Sequence, residues 1–543
     1  MTLKHGDLIL GVLVFLLARA VECLDPQVTV LNGTYIGLHS PVFQQDLFLG
    51  MPYAQDTGGE NRFRIPQALN ESWQDIRSAK QYGNACPDEN MAADAVYGMS
   101  ENCLSINVVR PTGINTTANV PVMVWIHGGR QRSVDVGKPI VGVSINYRKG
   151  AWGMLYSIEV QGSGNTNLSL RDMRKSLAWI QENIKFFGGD PSRVTIWGQS
   201  AGSFAIGQLL LSYGGRSDGL FHRSIQESGS ATTAWYNGSD WYQPIYNQIV
   251  DQVNCSDVPD TLSCLRTIDY DVLYPIMGSS QYDGPGFYPT VDGDIMPNYP
   301  STLMKMGHFA HVPHIHGTVS DEGTANAPVG TMNTDEDIRT YLRYGLGFDF
   351  PDSVVDEIME LYPDDPTQGI PLNTGSERFA EYGWQYKRIA AILGDVFYHA
   401  PRRHDTQRYA AHAPTYSYRF NTRDFVNSTN ATYVDYSGEL APAYKGVSHF
   451  SEVAFVFANP QYVGPWPEYQ ALSRQMSLQW INFAYSGDPN GDALPTWPKY
   501  NESDDGLNLV IQSALQNGSY VESDIYRLAG RELLTTWARR RHV

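Results

Sequence analysis

The residues that could do nucleophilic chemistry begin with a serine between two glycines. The pentapeptide GQSAG (198–202) follows the apolar run RVTIW (193–197) and precedes the stretch SFAIGQLLLSY (203–213). A strand, a tight turn and a helix in that order lift a serine clear of a sheet, at the start of a helix. The pentapeptide pattern alone is weak evidence, and its strand–turn–helix setting is what makes Ser200 a candidate nucleophile.

A serine hydroxyl needs a base to take its proton, and a histidine held by a carboxylate supplies one. The stretch VPHIHGTVSDEGTA (312–325) offers Asp321 and Glu322, and GVSHFSEVAFVF (446–457) offers His449. Taken singly, an acidic loop pair is usually solvated and a histidine before an apolar run is usually structural. The order serine, acid, histidine along the chain favours the catalytic interpretation, because it is the order used on one widespread α/β fold.

The elements that must position these residues are strands and helices in alternation. VMVWI (122–126) and IVGVSI (140–145) predict buried strands, and 169–187 predicts an amphipathic helix that GGDP (188–191) ends. The apolar residues of that helix recur at helical spacing, at Met173, Leu177, Ile180 and Ile184. We therefore predict an α/β fold with a large, mostly parallel central sheet and helices on both faces. Residues from about 285 to 400 resist assignment.

Composition narrows the class of partner. The chain has 543 residues, 42% of them hydrophobic, and a formal net charge of -18. That charge disfavours nucleic acid and anionic membrane surfaces, which both require clustered Lys and Arg. After the N-terminus no apolar run is long enough to span a bilayer, so we expect no stable membrane insertion.

The N-terminus has the form of a signal peptide. Lys4 precedes the apolar run LILGVLVFLL (8–17), and Ala18-Arg19-Ala20 fits a cleavage site, with Val21-Glu22-Cys23 as a second choice. We predict a signal peptide over 1–20, one folded domain over 21–543, and secretion to the extracellular space. Ten N-x-[ST] sequons agree with a secreted glycoprotein: Asn32, Asn70, Asn115, Asn167, Asn237, Asn254, Asn427, Asn430, Asn501 and Asn517.

The cysteines also favour an oxidising compartment. Of five, Cys23 lies at the edge of the signal peptide, and the other four fall into two sequence-near pairs. Pairing Cys86 with Cys103 and Cys255 with Cys264 is the simplest of three connectivities. Metal binding is the competing interpretation, but the sequence shows no C-x-x-C motif and no histidine cluster.

Several segments together resemble one family. FGGDPSRVTIWGQSAG (187–202) resembles the serine signature of the type-B carboxylesterase/lipase family, which includes cholinesterases, carboxylesterases and secreted fungal lipases. ENCLSINVVRP (101–111) is a looser match to its second signature, since Asn102 replaces Asp or Gly and Ser105 replaces an aromatic residue or Thr. SDEG (320–323), GVSHFSEVAFVF and the C-terminal segments WINFAYSGDPNG and WPKYN also resemble the family. The likeness covers nearly all of the mature chain, and secreted fungal esterases and lipases are the nearest in character.

The resemblance implies an α/β-hydrolase fold and a set of roles. Ser200 is the nucleophile that forms an acyl-enzyme, His449 the general base and acid, and Glu322 the carboxylate that orients it. Ser228, in IQESGS, matches a serine near the triad acid. The substrate is a small-molecule or lipid ester, and the chemistry needs no cofactor and no metal. Whether the chain is a monomer or a homodimer is left open.

The turn after VMVWI bears on activity. The family usually has HGGGF there, followed by a longer connection to the next strand, and its backbone N–H groups bind the oxyanion together with that of Ala201. This chain has His127-Gly128-Gly129-Arg130, and only residues 130–139 separate Gly129 from the next strand. Gly128, Gly129 and Ala201 are the predicted oxyanion donors. The shortened connection leaves a catalytically impaired relative as an alternative to an active enzyme.

The segment between the first two paired cysteines bears on the substrate. Cholinesterases stack choline on a Trp in this loop, but residues 87–102 contain none, and a neutral Gln199 precedes the nucleophile where cholinesterases have an acid. The loop is short and has one aromatic residue, Tyr97. These features favour a carboxylesterase for soluble esters over the alternative, an interfacial triacylglycerol lipase.

Overall fold

A computed structural model describes residues 25–88, 98–127, 138–278, 286–345, 350–426, 438–501 and 505–540. Within these ranges the chain forms sixteen strands, numbered β1 to β16: Gln27–Thr29, Thr34–Ile36, Leu38–Ser40, Gln45–Pro52, Ile76–Ser78, Ser105–Pro111, Val120–Ile126, Val141–Ile145, Gly189–Gln199, Arg223–Glu227, His314–Val319, Thr415–Phe420, Phe425–Val426, Glu439–Leu440, Leu507–Ile511 and Tyr520–Ser523.

The same ranges contain sixteen α-helices, numbered α1 to α16: Gly150–Met154, Ile158–Gly162, Leu168–Asn183, Ala201–Gly215, Ser239–Gln252, Thr261–Thr267, Tyr270–Met277, Pro300–Met306, Asp335–Thr340, Asp352–Leu361, Tyr386–Gly394, Ala400–Ala410, Val453–Val456, Pro460–Val463, Pro467–Ser486 and Leu528–Arg540. None of the helices in the part of the chain that the structure describes is long and apolar enough to cross a membrane.

A central sheet of eleven strands runs through the described chain. Its order is β16-β15-β12-β11-β10-β9-β7-β8-β6-β4-β3. The strands from β8 to β15 in this order are parallel, and the flanking β16, β6, β4 and β3 are antiparallel to their neighbours. The predicted α/β class with a mostly parallel sheet is confirmed.

Strand β7 shows why helices cover both faces of this sheet. All seven of its residues are buried. Val122, Val124 and Ile126 belong to one apolar core, while Met123 and Trp125 belong to another. Successive side chains of a strand point to opposite faces, so a continuous apolar run requires a cover on each side.

Two of the three main covering helices, α3 and α4, come from segments predicted as helices. Helix α3 places its predicted apolar residues, Met173, Leu177 and Ile180, in the first core, and α4 adds Ile206 and Leu209. Helix α15 supplies the second core with Leu472, Met476 and Trp480. The predicted helix over 169–187 is α3 followed by one turn of 3₁₀ helix, Ile184–Phe187, which Gly188 ends with a φ of 86°.

Two disulfides close short loops. The structure joins Cys86 to Cys103 and Cys255 to Cys264, with sequence separations of 17 and 9 residues. This is the connectivity that spacing favours. The first disulfide anchors the loop that precedes β6, and the second joins the end of α5 to α6.

Candidate active site

Ser200 occupies a sharp turn between strand β9 and helix α4. Its φ of 55° and ψ of −123° are unfavourable for a residue with a side chain, and such strain is typical of a serine raised above a sheet. Its N–H donates to the carbonyl of Glu227, at 2.9 Å, which fixes the turn to the end of β10. The structure therefore places Ser200 as its sequence motif predicts.

The glycines on either side let the turn approach strand β7. A Cβ added to Gly198 or Gly202 would lie 2.4 or 2.0 Å from the carbonyl oxygen of Ile126, the last residue of β7. Only glycine permits so close an approach of one backbone to another. Packing of the β9–α4 turn against strand β7 thus requires both glycines of the G-x-S-x-G pattern.

Gly202→Ala should destabilise the fold, because the new methyl group would collide with main-chain atoms that cannot turn aside. We expect a loss of about 1–3 kcal/mol in the free energy of unfolding, measured by urea denaturation. Gly162→Ala is a matched control, since a Cβ at this helical glycine meets nothing within 4 Å. Equal unfolding midpoints for the two variants would contradict this account of the turn.

The predicted acid, Glu322, and the predicted base, His449, contact each other beyond the end of strand β11. Glu322 follows β11, is fully buried, and accepts a hydrogen bond from the N–H of Val319 at 2.9 Å. Its other oxygen lies 2.6 Å from Nδ1 of His449, which sits in the loop before α13. This contact places the ring proton on Nδ1 and leaves Nε2 as the basic nitrogen.

The basic nitrogen of His449 faces the serine turn. Its Nε2 lies 3.2 Å from Nε2 of Gln199, the residue directly before Ser200. Among the described residues, no hydrogen bond joins the Ser200 hydroxyl to His449. The structure thus brings all three predicted triad residues to one place with one of the two triad hydrogen bonds formed. Catalytic hydrogen bonds commonly tighten only when substrate binds.

The ionisation of His449 is set by its carboxylate neighbours. Burial lowers its pKa, but the charge and hydrogen bond of Glu322 and the charge of Glu452 outweigh burial, so the pKa is raised above 6.5. Burial and the charge of Glu322 raise the pKa of Glu452 to about 7. Glu227, also buried, has its pKa raised by burial and by the charge of Glu452. Three carboxyl groups therefore share the interior behind the histidine.

Ser228 lies beside this cluster. Its hydroxyl donates to Glu452 at 3.2 Å, and its N–H donates to the carbonyl of Gly317 on β11. Sequence reasoning associated Ser228 with the triad acid and missed Glu452 and Glu227. A signal for Glu452 was present: it is an acidic residue three positions after His449, at the edge of an apolar run.

The predicted oxyanion donors are only partly described. Ala201 is the first residue of α4, where main-chain N–H groups have no partner within the helix. Gly128 and Gly129 lie outside the described residues. The turn begins at His127, whose carbonyl accepts a hydrogen bond from the hydroxyl of Tyr147 at 2.8 Å and whose ring stacks on the Tyr147 ring at 4.7 Å.

Aromatic side chains lie next to the histidine, and sequence reasoning did not find them. The Tyr398 ring is 4.8 Å from the His449 ring. Beyond it lie Phe397, then Trp235, then Tyr288, with ring centroids 5.3 to 6.2 Å apart. They come from the segments between 230 and 400, where the sequence shows no regular pattern. They form a continuous run of aromatic rings that starts at His449.

The described residues show no group of three or more His, Cys, Asp or Glu side chains that could hold a metal ion. The site itself combines a serine at a strained turn with an imidazole held by a carboxylate. A serine so placed attacks an electrophilic carbon, and ester carbonyls are the usual target.

Comparison with known proteins agrees with this geometry. A family model described as the carboxylesterase family matches residues 24–520. The chain belongs to the carboxylesterase family. It is 32% identical to Lipase 4 of Diutina rugosa, covering 94% of this chain and 96% of that protein. It is 30% identical to human carboxylesterase 5A, over 89% and 84% of the two chains.

Solved structures place this carboxylesterase-family chain in the same fold. The crystal structure of Aspergillus niger EstA superposes with a TM-score of 0.78 at 26% identity, covering 96% of this chain and 99% of EstA. A second neighbour, PNB esterase, has a TM-score of 0.73 at 25% identity and covers 94% of this chain. The predicted α/β-hydrolase fold and the predicted family are both confirmed, and the chain is a carboxylic-ester hydrolase.

Proposed function

We propose that this chain is a secreted serine hydrolase that cleaves carboxylic esters through an acyl-enzyme on Ser200. The observation that carries the proposal is the 2.6 Å contact between Glu322 and Nδ1 of His449, formed directly beside the strained Ser200 turn. A buried carboxylate that fixes the imidazole tautomer leaves the opposite nitrogen ready to take the serine proton.

The reaction follows from these positions. Nε2 of His449 takes the hydroxyl proton while the Ser200 oxygen attacks the ester carbonyl carbon. The N–H of Ala201 and those of Gly128 and Gly129 stabilise the oxyanion. The intermediate collapses, the carbon–oxygen bond to the alcohol breaks, and His449 gives its proton to the leaving alkoxide. In the second half, Nε2 of His449 takes a proton from a water molecule while the water oxygen attacks the acyl carbon. The bond from that carbon to the Ser200 oxygen then breaks, His449 returns its proton to Ser200, and the acid leaves.

Gln199 has a part in the first step. Its amide lies 3.2 Å from Nε2 of His449, at the nitrogen that must accept the serine proton. The amide has to give up this contact before proton transfer. We propose that bound substrate displaces it, so that the Ser200–His449 hydrogen bond forms only in the complex.

The substrate is proposed to be a soluble ester with a short or medium acyl group. The aromatic residues beside His449 offer an apolar surface for the acyl chain, and Tyr398 is the nearest of them. Tyr97, the one aromatic residue of the loop 87–102, lies outside the described residues. An interfacial lipase is the second candidate, favoured by relatives named lipases, such as Lipase 1 of Geotrichum candidum at 31% identity.

Secretion is proposed from the predicted signal peptide, which lies outside the described residues, together with the two disulfides. The sheet draws strands from both ends of the chain, which supports a single domain over 21–543. We expect Asn167 to remain without a glycan in the secreted glycoprotein. Its side chain is buried, and its amide donates to the Thr290 carbonyl at 2.9 Å and to Asp292 at 2.8 Å.

The pH dependence of kcat/KM should follow the ionisation of His449. Proton transfer requires a neutral imidazole, and the pKa of His449 is raised, so kcat/KM should fall as pH drops through a midpoint above 6.5. Glu452→Gln removes a charge that raises this pKa and should move the midpoint to lower pH. The measurement is a pH profile of kcat/KM for an ester that does not titrate. A wild-type midpoint below 6.5 would contradict this assignment of the base.

One experiment on the secreted protein tests the function itself. It is treated with a fluorophosphonate probe and assayed with p-nitrophenyl butyrate, then with tributyrin below and above its solubility limit. Labelling of Ser200 with steady hydrolysis across that limit supports the esterase, and a sharp rise above it supports the lipase. If the protein is neither labelled nor able to hydrolyse the esters, the proposal is overturned. That result would favour an impaired relative with a defective oxyanion turn.

A further inference from the structure

We infer that Asp321 is a positioning residue, whose carboxylate joins the loop that carries Glu322 to the loop that carries His449 and so sets the contact between them. The inference rests on the proposed function, because it concerns the proposed acid and base. Asp321 precedes Glu322 in the sequence and is the other carboxylate of the acidic pair. The structure gives it a different task from that of its neighbour.

Its contacts form a joint between the two loops. One carboxylate oxygen accepts the N–H of Val447 at 2.8 Å, and the N–H of Asp321 donates to the carbonyl of Val447 at 3.0 Å. The other oxygen accepts the N–H of Leu372 at 2.8 Å, which adds a third segment. Asp321 is next to Glu322, and Val447 is two residues before His449, so a shift at this joint moves both ends of the acid–base contact.

Residues next to Asp321 and Val447 allow the two loops to approach each other closely. Gly446 has a φ of +59°, and a Cβ there would lie 2.3 Å from a carboxylate oxygen of Asp321, so a side chain at this position would force the loops apart. The Thr324 hydroxyl lies 2.8 Å from the carbonyl of Lys445 and 3.1 Å from the Ser448 hydroxyl. The His449 loop is therefore fastened to the acid loop on both sides of Val447.

The charge of Asp321 matters because of what it faces. Within the described chain, its hydrogen-bond partners are main-chain N–H groups, which only an acceptor can satisfy. Protonation turns one oxygen into a donor that points at another donor and releases that loop. Burial raises the pKa of Asp321 to about 6, against the lowering effects of the two main-chain hydrogen bonds and of Arg419 and Arg527. The joint should therefore weaken just below neutral pH.

Other ionisable groups face the same carboxylate. Lys387 and Tyr386, on α11, interact with its charge, and the Glu322–His449 pair lies beside it. Lys387 is buried and donates to the carbonyl of Gly375 at 2.9 Å. Across the sheet, Arg419 is paired with Glu522, and Arg527 with Asp395. These cations have partners of their own, so the two main-chain N–H groups are left to hold Asp321.

Asp321→Asn is the test, because it keeps the shape and replaces one acceptor by a donor. We expect kcat/KM for p-nitrophenyl butyrate to fall by about 10²-fold, through kcat, since a misplaced base costs about this much. We also expect the wild-type plot of log(kcat/KM) against pH to steepen from a slope of one to two below pH 6, as His449 and then Asp321 gain protons. In the variant the slope should stay at one.

Asp172→Asn is the matched control. Asp172, on α3, is as deeply buried but holds Arg148 at 2.6 and 2.8 Å. Assayed at a temperature where circular dichroism shows each variant folded, this control should keep wild-type kcat. Activity of Asp321→Asn within about threefold of wild type, a loss matched by the control, or an unchanged slope overturns the inference.

The remaining outcomes are also decisive. If Asp321→Asn does not fold, the wild-type profile decides alone, and a slope of one down to pH 5 overturns the inference. If the wild-type protein shows neither hydrolysis nor labelling, both the proposed function and this inference are contradicted. If the wild type is active and Asp321→Asn is unaffected, only this inference is contradicted.

Discussion

Replacing Ser200 by alanine should abolish ester hydrolysis, with kcat lower by about 10⁴- to 10⁶-fold. In the proposed mechanism the hydroxyl oxygen of Ser200 forms the acyl-enzyme, and alanine has no group that can replace it. The residual rate of a Ser200→Ala variant would come from direct attack of water on an ester bound beside the proposed oxyanion donors. The measurements are the hydrolysis rate of p-nitrophenyl butyrate and the labelling of the protein by a fluorophosphonate, which alanine cannot accept.

Ser203→Ala is the control for this prediction. Ser203 is on the same helix, three residues further on, and is buried with its hydroxyl donating to the carbonyl of Gly229 at 2.9 Å. Its loss should cost about 1 kcal/mol of stability and leave labelling intact. If Ser200→Ala were still labelled, or hydrolysed the ester as fast as Ser203→Ala, the nucleophile would have to be sought elsewhere in the chain.

The surroundings of Ser200 could be predicted from sequence because they are local. The β9 strand, the glycine-flanked turn and helix α4 follow one another without interruption, and each has its own signal. Strand β7 could be predicted because it is buried on both faces and is therefore apolar throughout. Most apolar residues of helix α3 face one core, so they recur at the helical period.

Helix α11 shows why residues 285–400 could not be assigned. All nine of its residues are buried, Lys387 and Arg388 among them. Arg388 is accommodated because its guanidinium donates to the carbonyls of Tyr362 and Met359, which lie far away in sequence. The burial of Lys387 and Arg388 depends on partners from other segments, so the sequence of this helix alone does not indicate that it is buried on every side.

The contact between Glu322 and His449 could be predicted from sequence only in part. Glu322 and His449 are 127 residues apart, and nothing local to either indicates that they meet. Chain order and family resemblance predicted the pair, whereas the roles of Asp321, Glu452 and Glu227 depend on which loops pack together. Such contacts between distant segments are set by the tertiary fold, so single-sequence patterns do not reveal them.

Glu322→Gln should have the second largest effect, with kcat lower by about 10⁴-fold. The amide keeps an oxygen for the N–H of Val319 but can present an N–H where the carboxylate accepted the proton of His449 Nδ1. The ring would then adopt the other tautomer, with its proton on Nε2, and could not take the proton of Ser200. The rate of p-nitrophenyl butyrate hydrolysis under saturating substrate measures this loss.

The pH profile separates this explanation from a simple loss of stability. Because Glu322 raises the pKa of His449, its replacement by glutamine should move the acid midpoint of the residual activity to lower pH. Glu322→Asp keeps the charge with a shorter reach and should fall between wild type and glutamine. If Asp321→Asn lost more activity than Glu322→Gln and showed the larger shift, the orienting acid would be Asp321, and the 2.6 Å contact of Glu322 would be structural.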